Sequence, residues 1–201
     1  MKKTLIATSI ASAVSLSALT LPSVAAAEVS ANVGVVSNYF FRGVTQTDDG
    51  AAVQGGLDYG HESGFYAGTW GSTVDFGPTD DTSYEIDFYA GYGGGIGDLG
   101  YDVGYIYYAY PDADDADFGE LYGSLTYSYF TAGLAYTVNS QVEGESAFDT
   151  GDLYYYAGVD VPFGESGYSG SLYYGYYTFD ADSSTNELDY GHWSAGLSKD
   201  A

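Results

Sequence analysis

One arginine and six acidic residues lie within or beside stretches that are otherwise apolar and aromatic, and these charges are the first candidates for chemistry. Arg42 is the only strong cation between the N-terminal lysines and Lys199. The acidic residues on the polar side of predicted strands are Asp58, Glu85, Asp87, Asp102, Glu120 and Asp160. An arginine paired with such a carboxylate either orients a solute or gates a pore, or it stabilises a polar interior as an internal ion pair. We favour the internal pair, because removing one partner of a buried pair is costly whatever its function.

The same carboxylates, taken as a set, predict an acidic interior. Rings of Asp and Glu select cations, so an open interior would be a narrow path that prefers cations. The alternative is a plugged interior, since barrels of about eight to ten strands are nearly filled by their own side chains. The bulky inward residues that favour this alternative are Tyr89, Tyr122, Tyr154 and Tyr156.

A run of aspartates is the candidate metal site. Asp112, Asp114, Asp115 and Asp117 are interspersed with alanine in one predicted loop, and calcium binds several carboxylate and carbonyl oxygens. The run lacks the glycine and the distal glutamate of an EF-hand loop. We therefore favour a solvated acidic loop and keep weak binding of calcium or another divalent cation as the alternative.

The sequence predicts no enzyme active site and no cofactor. His61-Glu62-Ser63 is not a triad, because adjacent residues on a strand point to opposite faces, and no Gly-x-Ser-x-Gly elbow is present. The glycine-rich residues 93–97 lack the lysine and the following helix of a phosphate loop. Nucleic-acid binding is excluded, because phosphate contacts need lysine and arginine and the chain has 4 of these against 28 acidic residues. The lack of cysteine excludes a disulfide framework.

Short segments of alternating polarity must position these charges. They are rich in tyrosine, valine and glycine, have a period of two residues, and are separated by turn residues. The sequence predicts ten strands, at residues 29–39, 53–59, 65–73, 84–92, 101–110, 119–128, 130–138, 153–161, 167–177 and 189–198.

Charges and large apolar side chains fall on opposite faces of these segments. In the fourth predicted strand, Ile86 and Phe88 share one face, whereas Glu85 and Asp87 share the other. The sixth and eighth predicted strands repeat this division. Two-faced strands of about nine to eleven residues suit a tilted bilayer crossing. The alternative is a soluble sandwich or barrel, which would bury its apolar face.

The predicted connections alternate in length. Those after odd strands are long and acidic, at residues 40–52, 74–83, 111–118, 139–152 and 178–188. Those after even strands are mostly shorter, at residues 60–64, 93–100, around 129 and 162–166. Long loops on one side and short turns on the other are typical of outer-membrane barrels, whose strand ends also carry aromatic belts.

Residues 1–27 predict a cleaved signal peptide. Lys2 and Lys3 precede a small and apolar stretch, and three alanines at residues 25–27 fit the cleavage rule. We therefore expect residues 28–201 to form one β-barrel domain that is exported to the cell outer membrane.

Several sequence blocks form a signature that extends over most of the predicted mature chain. They are SNYFFRGVTQT at 37–47, QGGLDY at 54–59, GFYAGTW at 64–70, EIDFYAGY at 85–92, GYIYYAYP at 104–111 and ELY at 120–122. These blocks resemble the Gcw_chp family of uncharacterised Gram-negative proteins, and the first three are fairly specific in combination. The resemblance implies an outer-membrane β-barrel, and it brings no established activity and no catalytic residues.

The C-terminal end departs from this resemblance. Similar proteins continue beyond residues 189–194 with further strand-like sequence, whereas this sequence ends at Lys199-Asp200-Ala201. The expectation is therefore either ten strands that close, or a C-terminally truncated form of a full-length parent with twelve strands.

Together, these inferences predict an all-β protein, an antiparallel up-and-down transmembrane β-barrel. The predicted function is that of a porin-like outer-membrane barrel whose narrow acidic interior passes or binds a small solute. The alternative is a structural or surface-interaction barrel, without transport, whose acidic extracellular loops are the working surface. The predicted partners are outer-membrane lipid, small solutes and divalent cations, and the oligomeric state does not follow from the sequence.

Overall fold

The protein is all-β in a computed structural model that describes residues 27–142, 146–181 and 187–199. The strands are β1 (Glu28–Val36), β2 (Phe40–Phe41), β3 (Val44–Thr45), β4 (Ala52–Gly60), β5 (Phe65–Thr73), β6 (Tyr84–Ile96), β7 (Leu99–Ala109), β8 (Phe118–Tyr127), β9 (Phe130–Ser140), β10 (Leu153–Pro162), β11 (Tyr168–Thr178) and β12 (Tyr190–Lys199). Within these described ranges, no helix is long and apolar enough to cross a membrane. The predicted signal peptide lies outside the described residues, apart from Ala27.

Ten of the strands form one antiparallel sheet, in the order β1-β4-β5-β6-β7-β8-β9-β10-β11-β12. Each strand therefore pairs with the neighbours that precede and follow it in the large sheet. The β2 and β3 strands pair only with each other, as a hairpin within the first connection. The all-β, antiparallel, up-and-down prediction is confirmed, and each of the ten predicted strands has a counterpart in the sheet.

The connections gather by length at the two ends of the sheet. The short ones define the turn end, at residues 61–64, 97–98, 128–129 and 163–167. The long ones define the loop end, at residues 37–51, 74–83, 110–117, 141–152 and 179–189. The predicted alternation is thus present and is sharper than the sequence indicated.

The structure corrects three local predictions. The first strand ends at Val36 rather than at residue 39, because the chain bends at residues 37–38 and carries Tyr39 into a buried position. The predicted connection 93–100 is mostly strand, since β6 and β7 stay paired up to Ile96 and Leu99. Gly97, with a φ of 62°, allows a two-residue turn there. The predicted loop 40–52 contains the β2–β3 hairpin.

The large sheet is strongly curved. The hydroxyl oxygens of Tyr66 on β5 and Tyr122 on β8 lie 2.6 Å apart, although strands three places apart in a flat sheet are about 14 Å from each other. The hairpin lies on the concave side, where Tyr39 packs edge-on against Trp70 of β5 with ring centroids 5.5 Å apart. Near the other edge, a Cβ added to Gly43 would lie 2.7 Å from His192 of β12. The sheet therefore wraps around the hairpin.

The two edge strands do not meet. No Cα atom of β1 lies within 8 Å of a Cα atom of β12 in the described part of the chain, whereas directly paired antiparallel strands have Cα atoms about 4.5–5.5 Å apart. The described residues thus form a curved open sheet, and the closed barrel stays a prediction.

Polarity is divided between the two faces of the sheet as the alternation predicted. The convex, outer face exposes large apolar side chains on every one of the ten strands, with Val33 83 %, Phe88 54 % and Leu125 53 % exposed. The concave, inner face buries charged residues, among them Glu85 and Glu120. The molecule thus has an apolar exterior and a charged interior.

Tyrosine side chains on the inner face cover glycines of the next strand. A Cβ added to Gly133 on β9 would lie 2.6 Å from the Tyr156 hydroxyl of β10, and one added to Gly68 would lie 2.6 Å from the Tyr89 ring. The same arrangement places Tyr66 at Gly91, Tyr122 at Gly104 and Tyr173 at Gly158. Aromatic residues that cover glycines are a known device for stabilising curved sheets. This packing gives a physical reason for a sequence with 24 Tyr and 29 Gly.

Candidate functional site in the sheet interior

The β2–β3 hairpin carries Arg42 into the interior. Arg42 and Gly43 form its two-residue turn, between the paired residues Phe41 and Val44, with φ values of 48° and 87°. Positive φ at both positions is typical of a type I′ turn, which favours Asn-Gly or Gly-Gly. An arginine in this conformation is strained, so the surrounding contacts must hold it there.

A bidentate ion pair fixes the guanidinium. Arg42 Nη1 donates to Glu120 Oε1 at 2.7 Å, and Nη2 donates to Oε2 at 2.6 Å. The Glu120 carboxylate also accepts hydrogen bonds from the hydroxyls of Tyr108 at 3.2 Å and Tyr177 at 3.4 Å. The Arg42 side chain is 3 % exposed and that of Glu120 is fully buried. Bidentate, charge-assisted pairs are among the strongest hydrogen-bonded contacts in proteins.

Aromatic rings surround the same guanidinium. Arg42 Cζ lies 4.6 Å from the ring centroid of Phe41, 4.4 Å from that of Tyr154 and 5.0 Å from that of Tyr177, within the range of cation–π attraction. Burial alone would lower the pKa of Arg42, but the negative charge of Glu120 raises it well above its ordinary value. Arg42 is therefore a permanent cation here.

Glu85 is buried by a different means. The hydroxyl of Tyr39 donates to its Oε1 at 3.0 Å, and that of Tyr110 donates to its Oε2 at 2.9 Å. Burial and the nearby charge of Glu85 raise the pKa of Tyr39 well above its ordinary value, so this tyrosine stays a donor. Asp87, two residues along the same strand, is 5 % exposed, and its Oδ1 atom has no hydrogen-bond partner among the described residues.

Three further predicted carboxylates lie toward the turn end, on β4, β7 and β10. Each accepts a hydrogen bond from a tyrosine hydroxyl on another strand: Asp58 from Tyr89, Asp102 from Tyr66 at 2.9 Å, and Asp160 from Tyr173. Asp58 and Asp102 are partly exposed and Asp160 is exposed. These strands are the second, fifth and eighth of the ten, so the aspartates are spaced evenly around the concave face.

The sequence-predicted charges are thus brought together only in part. Among the described residues, the structure pairs Arg42 with Glu120 and with none of the other predicted carboxylates. Sequence reasoning missed the tyrosines that complete the site, namely Tyr39, Tyr108, Tyr110 and Tyr177. It also missed the hairpin, whose local signal is weak: Gly43 lies between two β-prone pairs at 40–45, but Arg-Gly is not one of the usual hairpin-turn dipeptides. The role of these residues as interior charges of a pore stays a prediction.

Two aspartates of the 110–117 loop, Asp112 and Asp117, accept hydrogen bonds from neighbouring residues. Asp112 accepts a hydrogen bond from the Ser83 backbone N–H at 2.9 Å. Asp117 accepts from the Tyr107 hydroxyl and from the Tyr110 N–H. No three His, Cys, Asp or Glu side chains group as metal ligands within the described ranges. Calcium binding by Asp112, Asp114, Asp115 and Asp117 stays a prediction.

Comparison with known proteins adds one relationship. The family model described as "Bacterial protein of unknown function (Gcw_chp)" matches residues 22–201. No curated protein and no solved structure matches the chain.

Proposed function

The chain belongs to the Gcw_chp family of bacterial proteins of unknown function, and we propose that it is an outer-membrane β-barrel with an acid-lined interior for a small solute. In this proposal, the β2–β3 hairpin closes the interior at the loop end. The observation that carries the proposal is the inverted polarity of the sheet, with apolar residues exposed outside and charged residues buried inside.

Inverted polarity favours lipid as the surroundings. A soluble protein buries its apolar face and seldom exposes an apolar patch larger than a few hundred Å². Here the exposed apolar residues extend across all ten strands, to Trp193 and Leu197 on β12, each 71 % exposed. Hydrocarbon would cover this surface, while the charges stay inside.

The outer face of β6 has dimensions that fit a bilayer. Tyr84 and Tyr92 flank the apolar residues Ile86, Phe88 and Ala90. The eight residue steps from Tyr84 to Tyr92 span about 27 Å along a strand, or about 20 Å across the membrane at a tilt of about 40°. Outer-membrane barrels have an apolar band of about 25 Å between aromatic girdles.

The proposal requires that the free edges of β1 and β12 be paired in the membrane. Lipid cannot hydrogen-bond the backbone groups of an open edge. Because β1 and β12 run antiparallel, an all-antiparallel ring closes either by their direct pairing or through an even number of additional strands. The expectation of a twelve-stranded parent is compatible with the second route and stays a prediction.

The interior supports a role with a cationic preference. Arg42 and Glu120 neutralise each other, which leaves the other interior carboxylates without a basic partner among the described residues. The hairpin and its ion pair fill the loop end, so passage through the interior would require the hairpin to move.

Membrane location is tested by fractionation of the expressing bacterium. We expect the protein in the outer-membrane fraction, with a gel mobility in detergent that changes on heating, as folded barrels show. Protein recovered with the soluble periplasm, and without heat-modifiable mobility, would overturn the barrel proposal.

The role of the hairpin is tested by single-channel recording in planar bilayers. We expect the unmodified protein to be silent or to conduct very little. Glu120→Gln removes the charge that holds Arg42 and should raise the frequency of opening, with cations passing in preference to anions. Asp98→Asn, in the exposed turn between β6 and β7, is the matched control and should conduct like the parent.

The buried β2–β3 hairpin also favours a second candidate function, the structural or surface-interaction barrel with acidic loops. Arg42 and Glu120 are almost fully buried, as in an interior built only for stability. Silence of the parent and of Glu120→Gln under every applied voltage, with both proteins folded, would support this candidate and sink the gated passage.

A further inference from the structure

Three carboxylates on strands β6 and β8 are buried in the loop-end interior, and they differ in the donors that reach them. Glu120 has Arg42 and two tyrosine hydroxyls as donors. Glu85 has two tyrosine hydroxyls. Asp87 is just as buried, at 5 % exposure, yet its Oδ1 atom has no donor among the described residues.

An ionised carboxylate in this position needs a positive charge that the described residues do not supply. Burying a charge without a partner is costly, and Glu85, on the same face two residues away, adds a second negative charge. Both terminal nitrogens of Arg42 are engaged by Glu120. Lys199 lies over the ring of Tyr168, where β11 begins at the turn end.

The neighbours of Asp87 across the sheet are both aromatic. Trp70 of β5 and Tyr108 of β7 lie directly opposite Asp87 in the strand registers, and opposite side chains on one face have Cβ atoms about 4.5–5.5 Å apart. Tyr39 packs edge-on against Trp70 and closes the site from the hairpin side. Asp87 is thus a carboxylate between two rings, below a third.

Another part of the interior shows which kind of group aromatic rings and a carboxylate can surround. In the same interior, three rings and the Glu120 carboxylate surround the guanidinium of Arg42. Aromatic faces combined with a carboxylate recognise organic cations. The arrangement is poor for a metal ion, since no three acidic or histidine side chains group as ligands in the described part of the chain.

We propose that Asp87, Trp70 and Tyr108 form a binding site for a small organic cation that carries an ammonium or guanidinium group. The bound cation supplies the charge that Asp87 lacks, as Arg42 does for Glu120. The inference rests on the proposed function in one respect, because the ligand reaches the site through the interior of the barrel.

Fluorescence provides the test, because Trp70 is one of only two tryptophans in the chain. Trp193→Phe leaves Trp70 as the sole tryptophan, and the full chain is purified in detergent and titrated with methylammonium chloride. We expect a saturable change in Trp70 emission. Adding Asp87→Asn should weaken the response at least tenfold. Asp98→Asn, in the exposed turn between β6 and β7, should leave the midpoint unchanged.

Two results would overturn the site. One is an unchanged methylammonium response in Asp87→Asn, and the other is an equal response to sodium or potassium chloride at the same ionic strength. If Asp87→Asn does not fold, Trp70→Leu takes its place, with methylammonium raising the unfolding temperature of the parent but not of the variant. Binding is measured in detergent, so its result is independent of the planar-bilayer recording. Methylammonium binding without conductance would contradict only the gated passage. Conductance without methylammonium binding would contradict only the proposed site.

Discussion

Both the loop-end and the turn-end halves of the interior carry carboxylates on the concave face. The two halves differ in how these carboxylates are compensated for the loss of hydration. At the loop end, Glu85 and Glu120 are almost fully buried, and Glu120 is neutralised by a bidentate arginine. At the turn end, Asp58 and Asp102 are half-buried and Asp160 is exposed, and each accepts one tyrosine hydroxyl. The halves therefore differ in burial and in the charge of the partner.

The difference teaches how a chain with one interior arginine distributes charge. Full burial of a carboxylate is tolerated where a cation or several donors compensate for lost hydration. The hairpin delivers its cation to one half only, and the carboxylates of the other half are less buried than Glu85 and Glu120. On this view, the loop end depends on an ion pair, whereas the turn end depends on tyrosine hydroxyl donors. Tyrosine–glycine packing is common to both halves.

The largest expected effect comes from breaking the ion pair. Glu120→Ala leaves the guanidinium of Arg42 buried without its partner, and we expect a loss of about 3–5 kcal/mol in the free energy of unfolding. Asp160→Ala, at the turn end, removes a partly solvated hydrogen bond and should cost no more than about 1 kcal/mol. Urea titration of both variants in detergent, with tryptophan emission as the readout, compares the halves directly.

A double variant sharpens this result. Arg42→Met combined with Glu120→Leu removes both charges and retains apolar volume, so it should be more stable than Glu120→Ala, because replacing a whole buried pair is often neutral. Equal losses in Glu120→Ala and Asp160→Ala would contradict the comparison between the two halves.

A smaller effect is expected from the tyrosine–glycine packing. In Gly133→Ala, the new Cβ would lie 2.6 Å from the Tyr156 hydroxyl, so the ring must shift, and overpacking of this kind costs about 1–3 kcal/mol. Gly100→Ala is the matched control on the same face, since its nearest neighbour would be the Thr126 side chain at 3.6 Å. The temperature at which the folded gel band disappears ranks the two variants. A loss as large in Gly100→Ala would mean that backbone conformation, rather than the ring, decides.

Much of the ten-stranded sheet could be predicted from the sequence, because the alternation of apolar and polar residues is a local property. Phe88 outward and Asp87 inward follow from a period of two, and so do the ten strands. The pairing of Arg42 with Glu120 could not be predicted, since it joins residues 78 positions apart through a hairpin that enters a curved sheet. The sequence offered six carboxylates for one arginine, and only the three-dimensional path of residues 40–45 selects among them.

The tyrosines of the interior were missed for a related reason. Tyr39 was assigned to the end of the first strand, but the bend at residues 37–38 directs it toward Glu85. Tyr110 comes to the same carboxylate from the end of the fifth predicted strand. A hydroxyl donor has no signature in a pattern of apolar and polar residues, because tyrosine fits either face.

The smallest expected effect lies outside the interior, in the exposed loops of the loop end. Asp112 ties the 110–117 loop to the 74–83 loop by accepting hydrogen bonds from the Ser83 hydroxyl and N–H. The Ser83 hydroxyl, more than its backbone N–H, lowers the pKa of Asp112 below its ordinary value. A lowered folded-state pKa means that the tie is fully present above the unfolded value of about 3.9 and is lost as the pH falls through the folded value.

Hydrogen exchange at the Ser83 amide measures this tie. We expect Ser83 to be protected at pH 6 and to lose protection below about pH 4 relative to the intrinsic exchange rate, and to be unprotected at both in Asp112→Asn. Asp114→Asn, in the same loop, should behave like the parent protein. The midpoint of urea unfolding should not change in either variant, because an exposed contact of this kind contributes little. A large shift of that midpoint in Asp112→Asn would mean that the loops, and not the buried ion pair, hold the loop-end half together.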